Sequence, residues 1–156
     1  DFAAISANTP HIVFDQVQVK SPLPLISIVE ATLESAKSIG LRRVGLLGTK
    51  FTMQSNFFGD RFAKEGIVVL VPNDHEQQYI HDKLISEIEL GIFNEATRQE
   101  LLAIISRMNE RDNIDAVILG CTELPLILNE GMSKIPFLNT AAIHVAAICQ
   151  HCMCPV

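Results

Sequence analysis

The chain has 156 residues, of which 48% are hydrophobic, 19% charged and 6% aromatic. This composition excludes a disordered chain, which carries fewer apolar residues and more net charge. At this length about two-thirds of the surface of the unfolded chain can be buried, so a core forms without disulfides or a structural metal. The stability of the fold therefore need not depend on the four cysteines.

The charge pattern excludes two classes of partner. The 12 basic and 18 acidic residues give a net charge of −6, and no basic cluster is longer than Arg42-Arg43, so we expect no nucleic-acid partner. No apolar run approaches the roughly 20 residues that cross a bilayer, and the N-terminus lacks the pattern of a signal peptide. We expect no membrane partner and a cytosolic location.

Short apolar runs predict the strands of a parallel sheet. They are too continuous for strands with one exposed face, and strands buried on both faces are typical of parallel sheets covered by helices. The runs are Phe2 to Ser6, Leu23 to Val29, Val44 to Leu47, Ile67 to Val71 and Asp115 to Leu119, with a further strand predicted after Pro136. Their length and flanking glycines favour strands over buried helix segments.

Amphipathic segments alternate with these strands. Helical spacing of apolar residues predicts helices from Thr97 to Arg111, from Glu76 to Ile92, and from Glu30 to Ile39, where Gly40 follows the last helical turn. Strands that alternate with helices indicate an α/β fold, in which a parallel sheet is sandwiched by helices.

The predicted elements divide the chain at Gly40. Residues 41–140 form a complete β-α-β series and are expected to be a second α/β domain, followed by a C-terminal helix and tail at 141–156. Residues 1–40 hold too few elements for a layered core of their own, so we expect them to be the remainder of a truncated first domain. The chain opens at Asp1 inside a predicted strand and without an initiator Met, which predicts further sequence upstream.

Cys121 follows the predicted strand that ends near Gly120. Ligands of open α/β sheets bind at the carboxyl ends of the strands, and the start of a helix there lowers the pKa of a thiol into the range of about 3.5 to 7.5. Cys121 is therefore a candidate acid/base or nucleophile. The alternative is a buried structural cysteine, because free cysteines are among the most buried residues.

A second strand end carries glycine and hydroxyl groups. Gly48 allows close approach of the backbone, and the hydroxyls of Thr49 and Thr52 can donate hydrogen bonds to a carboxylate or a phosphate. The alternative is ordinary capping of a helix by a threonine. The glycine patterns of nucleotide-binding loops are absent, so we expect no nucleotide cofactor.

Two further strand ends carry polar residues. Asn8 and Thr9 can bind a polar group, whereas His11 is interpreted as a turn or capping residue because nearby Asp15 does not complete a catalytic triad. The segment from Phe137 to Thr140 is interpreted as a strand followed by a helix cap.

The C-terminal tail contains cysteines in a spacing that can bind zinc. Cys149, His151 and Cys152 precede Cys154, but the only other cysteine is Cys121, so a distant second ligand pair is missing. We therefore expect no metal site, and interpret the tail as a loosely ordered terminus prone to oxidation.

Four strand-end motifs occur along the chain in a consistent order and spacing, and the last two of them are specific: Asn8-Thr9-Pro10-His11, Gly45-Leu46-Leu47-Gly48-Thr49-Lys50-Phe51-Thr52-Met53, Gly120-Cys121-Thr122-Glu123-Leu124 and Phe137-Leu138-Asn139-Thr140. Together they resemble the aspartate/glutamate racemase family, particularly its aspartate racemase branch, from the first residues to about position 148. The resemblance implies a cofactor-independent amino-acid racemase or epimerase with two α/β domains, a substrate cleft between them, and a homodimer. Aspartate or glutamate is the implied substrate.

The resemblance also implies roles for individual residues. In the family two cysteines on opposite faces of the substrate's α-carbon remove and return a proton, and Cys121 matches the second of them. Thr122 is then a substrate-binding donor, and Glu123 orients or polarises Cys121. Asn8 and Thr9 match the pair after the first cysteine.

The remaining implied contacts come from the loop after the second domain's first strand, where Gly48, Thr49 and Thr52 match the substrate-contacting positions. One departure from the family is plain, because Ala7, preceded by Ser6, stands where the first cysteine belongs. A methyl group exchanges no proton, so a noncatalytic or degenerate domain that binds a small carboxylate stays open as the alternative function. The enzymatic reading predicts that Cys121 reacts readily with iodoacetamide and that aspartate or glutamate protects it.

Overall fold

A computed structural model describes residues 1–153 as an α/β fold with two parallel sheets. The strands are β1 Ala3–Ala4, β2 Leu25–Ile26, β3 Arg43–Leu47, β4 Val68–Leu70, β5 Ala116–Leu119 and β6 Phe137–Asn139. The larger sheet has four strands in the order β4-β3-β5-β6, and β1 pairs with β2 in a separate two-stranded sheet. The predicted fold class, a parallel sheet covered by helices, is confirmed.

Helices follow the strands along the chain. They are α1 Phe14–Lys20, α2 Ile28–Ser38, α3 Lys50–Gln54, α4 Phe57–Ala63, α5 Asp74–Ser86, α6 Glu95–Asp112, α7 Leu124–Ile127 and α8 Thr140–Met153. Short 3₁₀ turns occupy Thr9–Val13 and Ile88–Leu90. Within residues 1–153, none of these helices combines the length and the apolar character that a bilayer crossing requires.

Two predicted boundaries differ most from the structure. The predicted strand from Leu23 to Val29 ends at Ile26, because the Ser27 hydroxyl accepts hydrogen bonds from the backbone N–H groups of Val29 and Glu30 and so begins α2. The predicted helix from Glu76 to Ile92 ends at Ser86 and is followed by the 3₁₀ turn. A hydrophobic period predicts a helix but does not fix where its hydrogen bonds stop.

The C-terminal segment also differs from the prediction. We expected a loosely ordered tail, but α8 continues to Met153, with Cys149 and Cys152 exposed on it. Cys154 lies outside the described residues, so the predicted tail beyond Met153 stays a prediction. Exposed thiols remain accessible to oxidants whether or not the backbone is helical.

The four-stranded sheet is buried on both faces. One face packs against α5, α6 and α7 through aliphatic side chains of the group Leu84, Ile88, Leu101, Ile104, Ile105, Met108, Leu124 and Ile127. The other face packs against α2 and α4, through Ile28, Val29, Leu33, Phe58 and Phe62. Helix α2 thus packs on the larger sheet although it belongs to residues 1–40, and the predicted division into domains stays a prediction.

The chain reverses its direction of winding between β3 and β5. The connection after β3 leads to β4 on one side, and β5 then pairs on the other side of β3. Gly48 and Gly120 follow these two strands, and the Gly120 N–H donates to the Leu47 carbonyl oxygen at 2.6 Å. A Cβ atom at Gly120 would lie 2.9 Å from that oxygen and 2.8 Å from Cδ1 of Leu46. Only glycine therefore permits the two strand ends to approach so closely, at the point where open α/β sheets bind ligands.

Candidate active site

A cysteine and a glutamate form a hydrogen-bonded pair at the carboxyl end of β5. The Cys121 thiol donates to Oε2 of Glu123, with 2.9 Å between sulfur and oxygen, and the Thr122 hydroxyl donates to Oε1 at 2.8 Å. Both bonds form because the turn between β5 and α7 brings the side chains of Cys121 and Thr122 to the carboxylate of Glu123. We call Cys121 and Glu123 the acid–base pair.

The thiol of Cys121 differs from the prediction in its acidity. Burial, and then the hydrogen bond to Glu123, raise the pKa of the Cys121 thiol to about 12. The predicted lowering by a helix start is wrong, because α7 has only four residues and the thiol instead faces a carboxylate. In this arrangement the sulfur holds its proton at neutral pH, so Cys121 is an acid and alkylation by iodoacetamide should be slow.

The pKa of Glu123 is shifted in the opposite direction, to a lower value. Burial acts to raise the pKa of Glu123, but the hydrogen bonds from Cys121 and Thr122 together outweigh it and hold that pKa below its usual value. Glu123 is therefore ionised at neutral pH, which is the state in which it can accept a proton. The pair consists of a protonated sulfur and a charged carboxylate.

A second carboxylate lies beside the pair. Ligand atoms of Glu89, Cys121 and Glu123 all lie within 4.8 Å of one another, and the negative charge of Glu89 contributes to the raised pKa of the Cys121 thiol. Glu89 is exposed and belongs to the 3₁₀ turn after α5. The three atoms could approach a cation, which would have to displace the thiol proton of Cys121.

Three threonine hydroxyls meet beside the end of β3. Oγ1 of Thr9 lies 3.3 Å from Oγ1 of Thr49 and 3.0 Å from Oγ1 of Thr52, and the last two atoms are 3.1 Å apart. We call these residues the threonine triangle. The hydroxyl protons can bond to one another, and those of the partly exposed Thr9 and Thr49 can also turn towards a carboxylate, whereas Thr52 is fully buried.

Thr49 and Thr52 also have a structural part in the triangle. The Thr49 hydroxyl accepts from the backbone N–H of Thr52 and so caps α3, which confirms the alternative interpretation of Thr49 as a helix cap. Capping does not consume the hydroxyl proton of Thr49. The same side chain can therefore both begin the helix and donate to a ligand.

The triangle and the acid–base pair lie on adjacent strand ends. A Cβ atom on Gly48 would lie 3.0 Å from the carbonyl oxygen of Gly120, and one on Gly120 would lie 3.4 Å from Cγ2 of Thr52. Thr52 thus lies beside Gly120, the residue that immediately precedes Cys121. The predicted donors and the predicted acid are brought together at the point where the winding reverses.

Asn8 is connected to the end of β5 by hydrogen bonds through Thr140. Its Nδ2 donates to Oγ1 of Thr140 at 3.1 Å, and the Thr140 hydroxyl donates to the carbonyl oxygen of Leu119 at 2.8 Å. Asn8 is 3% exposed, and its Oδ1 has no hydrogen-bond partner among residues 1–153. The N-terminal segment and the end of β5 are therefore joined through one hydroxyl.

His11 lies near these residues but belongs to the framework. Its Nδ1 donates to the Ala7 carbonyl oxygen at 2.9 Å, and its Nε2 accepts from the backbone N–H of Ile28 at 3.3 Å. Burial is the main cause that lowers the pKa of His11, and both ring nitrogens are used in the neutral form. His11 thus has a buried structural role, as the prediction against a catalytic role requires.

A polar cavity of about 380 Å³ lies elsewhere, between His11, the start of α2 and helix α4. It is lined by His11, Ser27 and Arg61 among others, and by none of the eight predicted site residues. The salt bridges of Arg61 to Asp15 and Glu30 neutralise much of its charge. The cavity therefore has no geometric connection to the acid–base pair.

Sequence motifs do not identify Glu89, and they assign Thr140 no role at the site. Glu89 lies within a predicted helical segment and carries no motif, so only the fold brings it to Cys121. The interpretation of the segment from Phe137 to Thr140 as a strand followed by a helix cap is confirmed, because Asn139 accepts from the N–H of Ala142. The strand-end position of Thr140 was the available signal for its further contacts.

The fold and the site define a class of α/β protein in which a protonated cysteine and hydroxyl donors meet at the switch in strand order. Residues 1–148 match the model of the family described as Asp/Glu/Hydantoin racemase, and the chain belongs to this family. The resemblance read from the four motifs is thereby confirmed.

Known proteins similar to this chain have the same fold. The crystal structure of an aspartate racemase homologue from Pyrococcus horikoshii OT3 is 36% identical with a TM-score of 0.85, and covers 94% of this chain and 64% of its own. A putative Asp/Glu racemase from Yersinia pestis is 32% identical with a TM-score of 0.89, over 97% and 66%. The broad specificity amino-acid racemase RacX of Bacillus subtilis (strain 168) is 28% identical over 142 residues, which are 91% of this chain and 60% of RacX. The chain thus spans less than two thirds of the length of each of these proteins.

Proposed function

We propose that this chain belongs to an amino-acid racemase that works without a cofactor, and that Cys121 exchanges the proton on the α-carbon of the substrate. The observation that carries the proposal is the acid–base pair, a buried thiol bonded to a carboxylate at a strand end. The family and the names of its relatives support racemisation as the reaction. Aspartate and glutamate are the substrates we propose to test first.

The chemistry divides between the two groups of residues. Loss of the α-proton leaves a carbanion next to a carboxylate, whose negative charge grows, so donors aimed at that carboxylate lower the barrier. Within the threonine triangle, Thr9 and Thr49 are partly exposed and can turn a hydroxyl proton towards this carboxylate, whereas Thr52 is fully buried and bonds to the other two hydroxyls. Thr122 already donates to Glu123, so it adds a donor to the substrate only if that bond is exchanged.

Proton return is the step for which the acid–base pair is prepared. The S–H bond of Cys121 breaks, the carbanion's electron pair forms the new C–H bond, and the sulfur keeps the pair of electrons as a thiolate. In the reverse direction the thiolate takes the α-proton and the electron pair stays on carbon. When Cys121 must act as a base, Glu123 first accepts the thiol proton. Because the pKa of Glu123 is lowered, the state with a thiolate and a protonated Glu123 is the less populated one.

Inversion needs a second acid or base on the opposite face of the α-carbon. Ala7 stands at that position in the motif and offers no exchangeable side-chain proton. This observation favours the second candidate function, a domain that binds a small carboxylate without racemising it. The predicted homodimer and cytosolic location stay predictions.

The two functions are separated by incubating the chain with L- and D-aspartate or glutamate in deuterium oxide. Racemisation with deuterium uptake supports the enzyme, and uptake without racemisation indicates that one base works. Binding with neither event supports the carboxylate-binding domain. Substitution Cys121→Ala should abolish uptake, whereas Cys149→Ala, which removes an exposed thiol on α8, should leave uptake unchanged.

A further inference from the structure

Thr140 occupies an unusual position for a buried hydroxyl. Its side chain is fully buried at the start of α8, where β6 ends. Capping does not explain it, because Asn139 caps this helix through the N–H of Ala142 at 3.1 Å. The hydroxyl of Thr140 instead contacts two other segments of the chain, and those two segments carry the predicted site.

The direction of both hydrogen bonds is determined. A carbonyl oxygen only accepts, so the single proton of the Thr140 hydroxyl is donated to Leu119, the last residue of β5. Oγ1 can then only accept, and its partner must be the amide nitrogen of Asn8. Thr140 therefore fixes which end of the Asn8 carboxamide faces it.

This arrangement leaves the other end of the carboxamide unsatisfied. Oδ1 of Asn8 is buried and has no partner within the described residues 1–153. A buried acceptor without a partner lowers stability, so the network is poorly explained as a device for stability alone. Groups that stay unsatisfied in a fold are concentrated where function uses them.

The two bonded segments lead directly to the two halves of the site. Asn8 precedes Thr9, whose hydroxyl completes the threonine triangle, and Leu119 lies two residues before Cys121. A displacement of Asn8 relative to Leu119 would move the donors relative to the thiol. Misplacement of reacting groups by about 1 Å can cost about a hundredfold in rate.

We propose that Thr140 is a positioning residue: its hydroxyl holds the Asn8–Thr9 segment against the end of β5 and so sets the threonine triangle at the correct distance from the Cys121 thiol. The proposal rests on the proposed function, because the distance matters only if a substrate is held by the triangle and protonated by Cys121. Thr140 acts through Asn8 and does not itself contact the substrate.

The experiment measures deuterium uptake at the α-carbon against substrate concentration, with rates normalised to folded protein. Thr140→Val has the same shape without the hydroxyl and should lower kcat about 10 to 100-fold with little change in KM. Thr140→Ser keeps the hydroxyl and should restore most of the rate. Thr32→Val is the matched control, because Thr32 is also fully buried and donates to a backbone carbonyl, that of Ile28, away from the site.

A double substitution tests whether Thr140 acts through Asn8. If it does, Thr140→Val should lower the rate little further in a chain that already carries Asn8→Ala. Equal losses of kcat in Thr140→Val and Thr32→Val would overturn the positioning role and leave the proposed function intact. An unsubstituted chain that neither binds an amino acid nor exchanges its α-proton would overturn both.

Should Thr140→Val fail to fold, Thr140→Ser and Asn8→Ala still decide the question. The positioning role is supported if Thr140→Ser keeps most of the rate of the unsubstituted chain and Asn8→Ala lowers kcat. Unchanged kcat and KM in folded Asn8→Ala would overturn it, because the bond to Thr140 would then be without consequence for the site.

Discussion

The ends of β3 and β5 are neighbours in one sheet but carry different chemistry. The end of β3 leads to hydroxyls that bond to one another, whereas the end of β5 leads to a thiol bonded to a carboxylate. Hydroxyls of threonine do not titrate near neutral pH, so the first region can bind a charged group but exchanges no proton. The second region holds an acid with a raised pKa beside a base with a lowered one. The proposed function therefore assigns binding and proton transfer to separate strand ends.

Among substitutions that keep the Cys121 thiol, the largest expected effect comes from Glu123→Gln, which removes the charge from the β5 end. We expect deuterium uptake to fall about a hundredfold or more, in the range typical of lost acid–base catalysis. The pKa of Cys121 should also fall, because Glu123 raises it, but burial should keep it above the usual value for a thiol. The rate of Cys121 alkylation against pH reports this shift, with Glu130→Gln, an exposed substitution, as the control.

The raised pKa of Cys121 also predicts how stability depends on pH. The folded chain favours the protonated thiol, so its contribution to stability is complete below the unfolded pKa near 9 and is lost as pH rises towards about 12. Cys121→Ser should remove this part of the alkaline loss, measured by urea unfolding between pH 8 and about 11. The same loss in Cys121→Ser and in the unsubstituted chain would contradict the raised pKa.

A smaller effect is expected at the β3 end from Thr49→Val. Removing a hydroxyl that bonds to a carboxylate should weaken amino-acid binding about 10- to 150-fold, since such a bond contributes about 1.5–3 kcal/mol. Loss of the cap of α3 should lower stability by about 1 kcal/mol as well. Thr49→Ser keeps both functions, and calorimetric titration separates the two variants. If both variants bind equally well, the triangle is not the carboxylate site.

The contact between the two regions is tested by Gly120→Ala. The added methyl would meet the Leu47 carbonyl oxygen at 2.9 Å, so β3 and β5 must shift, at a cost of about 1–3 kcal/mol. Gly59→Ala in α4 is the control, because its Cβ meets nothing within 4 Å and should stabilise the helix by about 0.4–1 kcal/mol. Urea unfolding measures both. A neutral Gly120→Ala would show that the two strand ends need not touch.

The smallest effect is expected from Glu89→Gln. Glu89 raises the pKa of Cys121 only through its charge, and it is the last of the causes that do so. The pKa of Cys121 should therefore fall less than in Glu123→Gln, and screening by salt should reduce the difference further. Alkylation against pH at low and high salt measures it. A larger shift than that of Glu123→Gln would reverse the assignment of the carboxylate that controls the thiol.

The site residues that could be predicted are those that lie in short sequence motifs. Cys121, Thr49 and Thr52 each follow an apolar run and a glycine, so the rule that strand ends bind ligands identifies them without a structure. The acidity of Cys121 could not be predicted in the same way. A helix start would lower its pKa and a carboxylate raises it, and only the turn geometry shows that the thiol faces Glu123.

The boundaries of the helices and strands likewise divide into those that could be predicted and those that could not. The strands β3 and β5 were predicted to within one residue, because a run buried on both faces has a sharp start and end. The predicted strand to Val29 failed because the hydroxyl of Ser27 begins a helix inside an apolar run. Local hydrogen bonds of one side chain thus override the hydrophobic pattern.

The sequence by itself determined the fold class, the family and the strand ends at which chemistry is placed, since all three follow from apolar runs and short motifs. The tertiary structure alone decided which of these groups touch. Thr9, Thr140 and Glu89 lie far from Cys121 in sequence and reach the site through parallel crossovers and helix packing. Contacts between distant segments depend on how the whole core packs, so they cannot be predicted from any local sequence pattern.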